Sequence, residues 1–218
     1  MHQSTSTVLR TETVIFDLGG VFTGSPLAAA RNAARQRGVD AESLIDVMIG
    51  RYGEESDHPW QRVERGELPL QEARRWVLAE TKRRLGVEID PMEVMAPLMA
   101  EPPRESMVRL AQSLRGRGLT LGLLTNNARE LRSEWASLLD WESLFDEIID
   151  SSEVGVRKPD PAAFLLALER CGQVDPERAL MVDDFEVNVE GARAIGMKAV
   201  LVGEDPQPAI AEIEEMVA

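Results

Sequence analysis

The sequence predicts an α/β protein, a doubly wound (Rossmann-like) parallel sheet core with an inserted all-helical domain. Three observations carry that reading. Short runs that are apolar on both faces are each followed by a polar turn and a helical pattern, as expected of strands buried between helical layers. Strand and helix then alternate, which a parallel sheet with crossover helices requires. Between about residues 26 and 101 the alternation stops, and only amphipathic helical segments remain.

Each element has its own warrant. Residues 1–10 read as a flexible leader, polar and without the apolar stretch of a secretory signal. Thr13-Val14-Ile15-Phe16-Asp17 is the first strand. Helical segments follow at 27–37, 41–49, 70–85 and 91–99, punctuated by Gly38, Gly50, Gly53, Gly66 and Gly86. Pro102-Pro103 reads as the hinge back to the sheet. The expected division is therefore 11–25 and 101–218 for the α/β core and 26–100 for the helical insertion. Met107, Leu110, Ala111 and Leu114 recur at helical spacing before the second strand, 119–125. A shorter strand candidate covers 145–149. Asp160 is a natural N-cap and Pro161 a natural first helical residue for a helix whose apolar stripe is Phe164, Leu165, Leu168 and Cys171. Strands at 179–183 and 198–202 complete the sheet.

Composition narrows the function classes. The 218 residues are 44% hydrophobic and 28% charged, an ordinary globular balance. No apolar run approaches the ~20 residues that span a bilayer, so no membrane partner is expected. Cys171 is the sole cysteine. It excludes an intrachain disulfide, favours a cytoplasmic address and reads as a packed core residue. A net charge of −14 repels phosphate backbones, so nucleic acid is not an expected partner.

The chemistry should lie at the strand ends, because open α/β sheets bind ligands beyond the carboxyl ends of their strands. Asp17, Thr125 and the pair Asp183-Asp184 stand there. Carboxylates gathered in one crevice raise each other's pKa values, and a hard divalent cation such as Mg2+ relieves the repulsion. Lys158, in a loop leading into a helix, can neutralise a phosphoryl group or a carboxylate. Thr125 and Asn126 offer a hydroxyl and backbone N–H groups at an expected helix start, an anion cradle. Nucleophilic carboxylate, cation, lysine and cradle together form the set that phosphoryl transfer needs.

Four segments in order resemble the motifs of the haloacid dehalogenase superfamily. Phe16-Asp17-Leu18-Gly19-Gly20-Val21-Phe22 is similar to the first, and Leu123-Leu124-Thr125-Asn126 to the second. The stretch from Ser152 to Pro161 resembles the third, with Lys158. Met181-Val182-Asp183-Asp184-Phe185-Glu186-Val187-Asn188, followed by Gly191-Ala192, resembles the fourth. The family often carries a helical cap after the first strand, and 26–100 fits it. Trp60-Gln61-Arg62-Val63-Glu64-Arg65-Gly66-Glu67-Leu68 resembles the cap of the branch that holds small sugar-phosphate phosphatases and the amino-terminal phosphatase domains of soluble epoxide hydrolases.

The resemblance implies Mg2+-dependent hydrolysis of a small phosphorylated metabolite, with Asp17 forming an aspartyl-phosphate. It implies a metal held by Asp17, the Gly19 carbonyl and Asp184, with Asp183 as a further ligand or an anchor and Asn188 in support. Thr125, Asn126 and Lys158 are the implied phosphate ligands. One position departs from the pattern: where the family's phosphatases usually have a second aspartate as general acid and base, this chain has Gly19. The leaving-group proton is left to a water on the metal, a cap residue or the substrate. His58 is the obvious cap candidate, although a histidine before proline in a polar loop is more often simply exposed. Trp60 and Arg62 are candidates to line the substrate opening. A 2-haloacid dehalogenase and a degenerate protein that only binds phosphorylated ligands or partners are the alternatives. Gly19 and the acidic pair both count against the dehalogenase. Monomer and homodimer are both compatible with the sequence.

Overall fold

The computed structural model describes residues 10–51 and 56–218, the side chain of Met99 excepted. The leader expected at 1–10 thus lies, but for Arg10, outside the described residues. Five strands form one parallel sheet. In chain order they are β1 (Thr13–Phe16), β2 (Thr120–Thr125), β3 (Glu147–Asp150), β4 (Ala179–Asp183) and β5 (Lys198–Leu201), arranged in space as β3-β2-β1-β4-β5. The order reverses at β1, whose neighbours β2 and β4 both run beside it from Thr13 to Phe16. That reversal is a topological switch point, where a crevice opens beyond the carboxyl ends of the strands.

Alternate residues of each strand feed two cores. Val14, Phe16, Leu121, Leu123, Leu180 and Val182 face one layer, while Ile15, Leu124, Met181 and Ala199 face the other. The first layer is built by α6 (Glu105–Gly116) and, at the end of the chain, α12 (Gln207–Met216). Short helices α7 (Arg132–Ala136) and α8 (Trp141–Leu144) bring Trp135 and Trp141 into it. The second layer is built by α10 (Pro161–Arg170) and α11 (Glu186–Ala194). A single turn, α9 (Ser151–Val154), leaves β3. Asp160 caps α10 by accepting from the Ala162 N–H at 2.8 Å, with Pro161 in the first turn. Cys171 is buried, and burial pushes its thiol up to about 11, so it packs rather than reacts.

Between β1 and α6 the chain forms α1 (Pro26–Arg37), α2 (Ala41–Ile49), α3 (Pro59–Glu64), α4 (Leu70–Leu85) and α5 (Pro91–Ala100). Their apolar faces make a separate cluster, including Ala34, Leu44, Val47, Val63 and Val77. Ala128, Leu131 and Phe185, from the segments that follow β2 and β4, join that cluster and seat the helices over the crevice. Four of these five helices occupy the expected segments; α3 falls where no helical periodicity was expected. No helix among the described residues is long and apolar enough to cross a membrane.

Candidate active site

β1 delivers Asp17 to the crevice, with the Asp17 N–H donating to the Val182 carbonyl at 2.8 Å, so that β1 and β4 end together. Asp183 closes β4 and Asp184 follows it. Carboxylate oxygens of Asp17, Asp183 and Asp184 lie within 4.8 Å of one another, a grouping capable of holding a metal ion. Lys158 reaches the same point from the loop before α10. Its ammonium donates to Asp17 Oδ1 and to Asp183 Oδ2, each at 2.7 Å, and its side chain is 1% exposed. Three carboxylates against one ammonium leave a formal charge of −2 at this point.

The three acids are held differently. Asp183 accepts four hydrogen bonds: the Phe185 N–H and Asn188 Nδ2 on Oδ1, then Lys158 Nζ and Asn188 Nδ2 on Oδ2. Its lone pairs are committed. Asp184 Oδ2 accepts from the Ser25 hydroxyl at 2.7 Å, while Oδ1, like Asn188 Oδ1, is buried without a hydrogen-bond partner among the described residues. Burial, reinforced by the Asp183 and Asp17 charges, pushes Asp184 up to about 8. Burial likewise pushes Asp17 up to about 7, opposed by Lys158 and assisted by Asp183. Carboxylates buried side by side are raised in this way. A divalent cation fits the site on three counts: the excess of two negative charges, the oxygen donors, and the two buried oxygens left unsatisfied.

Local sequence explains the close approach. Gly20 has φ +69°, and a Cβ there would fall 1.9 Å from Asp184 Oδ2, so only glycine lets the turn after β1 pass the acid. Ser25 sits before α1 in the N-cap position, yet its side chain makes no cap bond and serves Asp184 instead.

Thr125, 2% exposed at the end of β2, faces the same cavity as Asp17, Gly19, Asn126, Lys158, Asp184 and Asn188. No helix begins at Asn126 as expected. A loop runs from 126 to 128 before a single 3-10 turn. The Asn126 amide instead clamps the Lys158 backbone, donating to its carbonyl at 2.8 Å and accepting from its N–H at 2.9 Å. That clamp fixes the lysine loop against β2.

Of the three candidates in the helical segment, Trp60 lines the cavity, and His58 and Arg62 do not. His58 is half-buried rather than exposed. Its Nδ1 caps α3 by accepting from the Trp60 N–H at 3.2 Å, its ring meets Trp76 edge-on, and burial lowers its pKa. Arg62 lies 3.7 Å from Glu67 on the surface. Sequence reasoning passed over Glu64, which lines the cavity and is 4% exposed. Trp60 Nε1 donates to its Oε1 at 3.1 Å, and Arg157 Nε, from the lysine loop, to its Oε2 at 2.6 Å. The available signal was only a carboxylate one helical turn after Trp60.

Known proteins share this arrangement of chain. The haloacid dehalogenase-like hydrolase family matches residues 11–196. The sequence is 30% identical over 211 residues to acyl-CoA dehydrogenase family member 10 of Mus musculus, covering 93% of this chain and 19% of that protein. It is 32% identical over 200 residues to a phosphatase of Mycobacterium tuberculosis (strain CDC 1551 / Oshkosh), covering 76% of this chain and 90% of that one. The chain thus spans a small fraction of the first relative and nearly all of the second. Among solved structures, an L-2-haloacid dehalogenase superposes with TM-score 0.68 at 20% identity, covering 95% of this chain and all of that one. A family enzyme of Bacteroides thetaiotaomicron, solved with magnesium and inorganic phosphate, superposes with TM-score 0.60 at 19% identity, covering 89% and 95%. At these identities the structural likenesses speak for the fold.

Proposed function

Since the chain belongs to the haloacid dehalogenase-like hydrolases, we propose that it is a magnesium-dependent phosphatase acting on a small phosphate monoester. The observation that carries this reading is the buried cluster of three carboxylates around one ammonium, in which Asp17 shares Lys158 with Asp183 while Asp184 keeps an oxygen unsatisfied among the described residues. Segment 26–100 acts as the cap over a core formed by 11–25 and 101–218.

Asp17 is the nucleophile. Lys158 holds one carboxylate oxygen and thereby orients the other, and its charge stabilises the phosphoryl group as it transfers. Thr125 donates its hydroxyl to a phosphoryl oxygen, and the clamp from Asn126 keeps the lysine in place. Asp17, the Gly19 carbonyl and Asp184 would hold magnesium, which supplies charge neutralisation for the phosphoryl oxygens. Asp183, with its lone pairs committed, anchors Lys158 and Asn188 rather than binding the ion. Attack by Asp17 on phosphorus breaks the ester bond and leaves an aspartyl-phosphate, which water then hydrolyses. Gly19 can neither give the leaving oxygen a proton nor take one from that water, and His58 does not line the cavity. The proton is then left to solvent, to the substrate or to another group lining the cavity, and good leaving groups are favoured.

The dehalogenase alternative uses the same Asp17 on carbon and has no need of the acidic pair. A panel of phosphate monoesters and 2-haloacids, assayed with magnesium and with chelator, separates the readings. Phosphate release that requires magnesium supports the phosphatase. Halide release without metal supports the dehalogenase, and turnover of neither class supports a protein that only binds.

A further inference from the structure

We propose that the substrate's organic part is compact, largely apolar and free of a second negative charge, with Glu64 receiving its one hydrogen-bond donor. This rests on the phosphatase reading and names the kind of ester that the site admits. The cavity holds about 110 Å³, small beside the ~300–1,000 Å³ of drug-sized ligand sites. Away from Asp17 and Asp184 its walls are mainly Ile49, Trp60, Met95, Leu98, Leu131 and Phe185, with Thr23 and Asn127 adding neutral polar groups. Among the described residues Lys158 is the only cation lining it, and that ammonium is already shared by Asp17 and Asp183.

A carboxylate or second phosphate on the substrate would therefore be buried among mostly apolar side chains with no counter-charge, which is strongly unfavourable. It would also face Glu64. That carboxylate pairs with Arg157 in a buried contact, and each oxygen, having accepted one bond from Trp60 or Arg157, can accept another. A hydroxyl or an ammonium satisfies it; an anion is repelled.

The test compares three two-carbon esters that differ at the far end: ethyl phosphate, hydroxyethyl phosphate and phosphoglycolate. Their affinities for the Asp17→Asn protein with magnesium, measured by calorimetry, require no turnover. Hydroxyethyl phosphate is expected to bind at least about tenfold tighter than phosphoglycolate. Replacing Glu64 with Gln, together with Arg157→Met so that no buried charge is stranded, should narrow that gap several-fold. Phosphoglycolate binding as tightly as the hydroxyethyl ester, or a gap unchanged in the double variant, overturns the proposal. Release of phosphate from acetyl phosphate by the unaltered protein judges the phosphatase reading separately, so the two can fail independently.

Discussion

A side chain at position 19 would begin 3.4 Å from Pro26 Cγ and 3.8 Å from Asp17 Oδ2, ordinary contact distances in a backbone conformation open to any residue. Gly19→Asp should therefore fold and place a carboxyl group beside the nucleophile. Its expected effect is a gain of about 10²-fold in kcat on esters with poor leaving groups and little change on acetyl phosphate, the span that acid–base help usually provides. No gain on the poor leaving groups would mean that the missing carboxylate is not what limits them. Ser25 offers the converse test. Among the described residues its hydroxyl is the one hydrogen bond on Asp184 Oδ2, and outer partners of metal ligands typically govern affinity by about 10–100-fold. Ser25→Ala should weaken magnesium binding by at least about tenfold in a calorimetric titration, without unfolding the protein. Gly19 stands out in the sequence because a neighbouring motif makes its absent carboxylate conspicuous. Ser25 does not, because a serine before a proline-led helix already has a sufficient explanation as a cap.

At the scale of elements, α3 is tied to the lysine loop by Glu64 and Arg157, 5% and 3% exposed. Removing one member of a buried pair strands the other, so Glu64→Ala should cost about 3–5 kcal/mol in denaturant unfolding. The apolar double replacement Glu64→Leu with Arg157→Met should recover most of that loss. Elsewhere in the helical segment Arg74, on α4, grips Asp90, the N-cap of α5, with Nε 3.0 and 3.1 Å from the two carboxylate oxygens. That hydrogen bond is the main reason Asp90 lies below its ordinary 3.8. Stability from a depressed carboxylate is complete above the unfolded value and disappears as pH falls through the folded one. Asp90→Asn should therefore flatten the acid limb of the stability–pH curve below about pH 4, and an unchanged limb would contradict the clamp. The strands were legible because burial on both faces writes continuous apolar runs. The helix α3 was not, because six residues opening on a proline give no periodicity to detect. Nor was the Glu64–Arg157 pair: its members stand 93 residues apart, and each charge alone looks like solvated surface.

For the whole molecule, the switch point at β1 gathers Asp17, Thr125, Asp184 and Lys158 from four distant segments, and the helices between β1 and α6 close over them. The convergence of Asp17, Thr125 and Asp184 could be expected from strand-end position, whereas Lys158 comes from a loop. Which oxygen remains unsatisfied, and which acid is fully occupied, depends on side-chain geometry that no linear pattern encodes. A ligand that binds only the folded state stabilises it by about 2.7 kcal/mol at a hundred times its dissociation constant, so magnesium should raise the melting temperature, and Asp184→Asn should abolish the rise. The most direct test of the central claim is mass spectrometry of the peptide carrying Asp17, after acid quench of protein turning over acetyl phosphate with magnesium. A phosphoryl group on Asp17, absent in chelator, is the predicted result. Undiminished phosphate release by Asp17→Asn protein, with no such adduct on the unaltered chain, would contradict it.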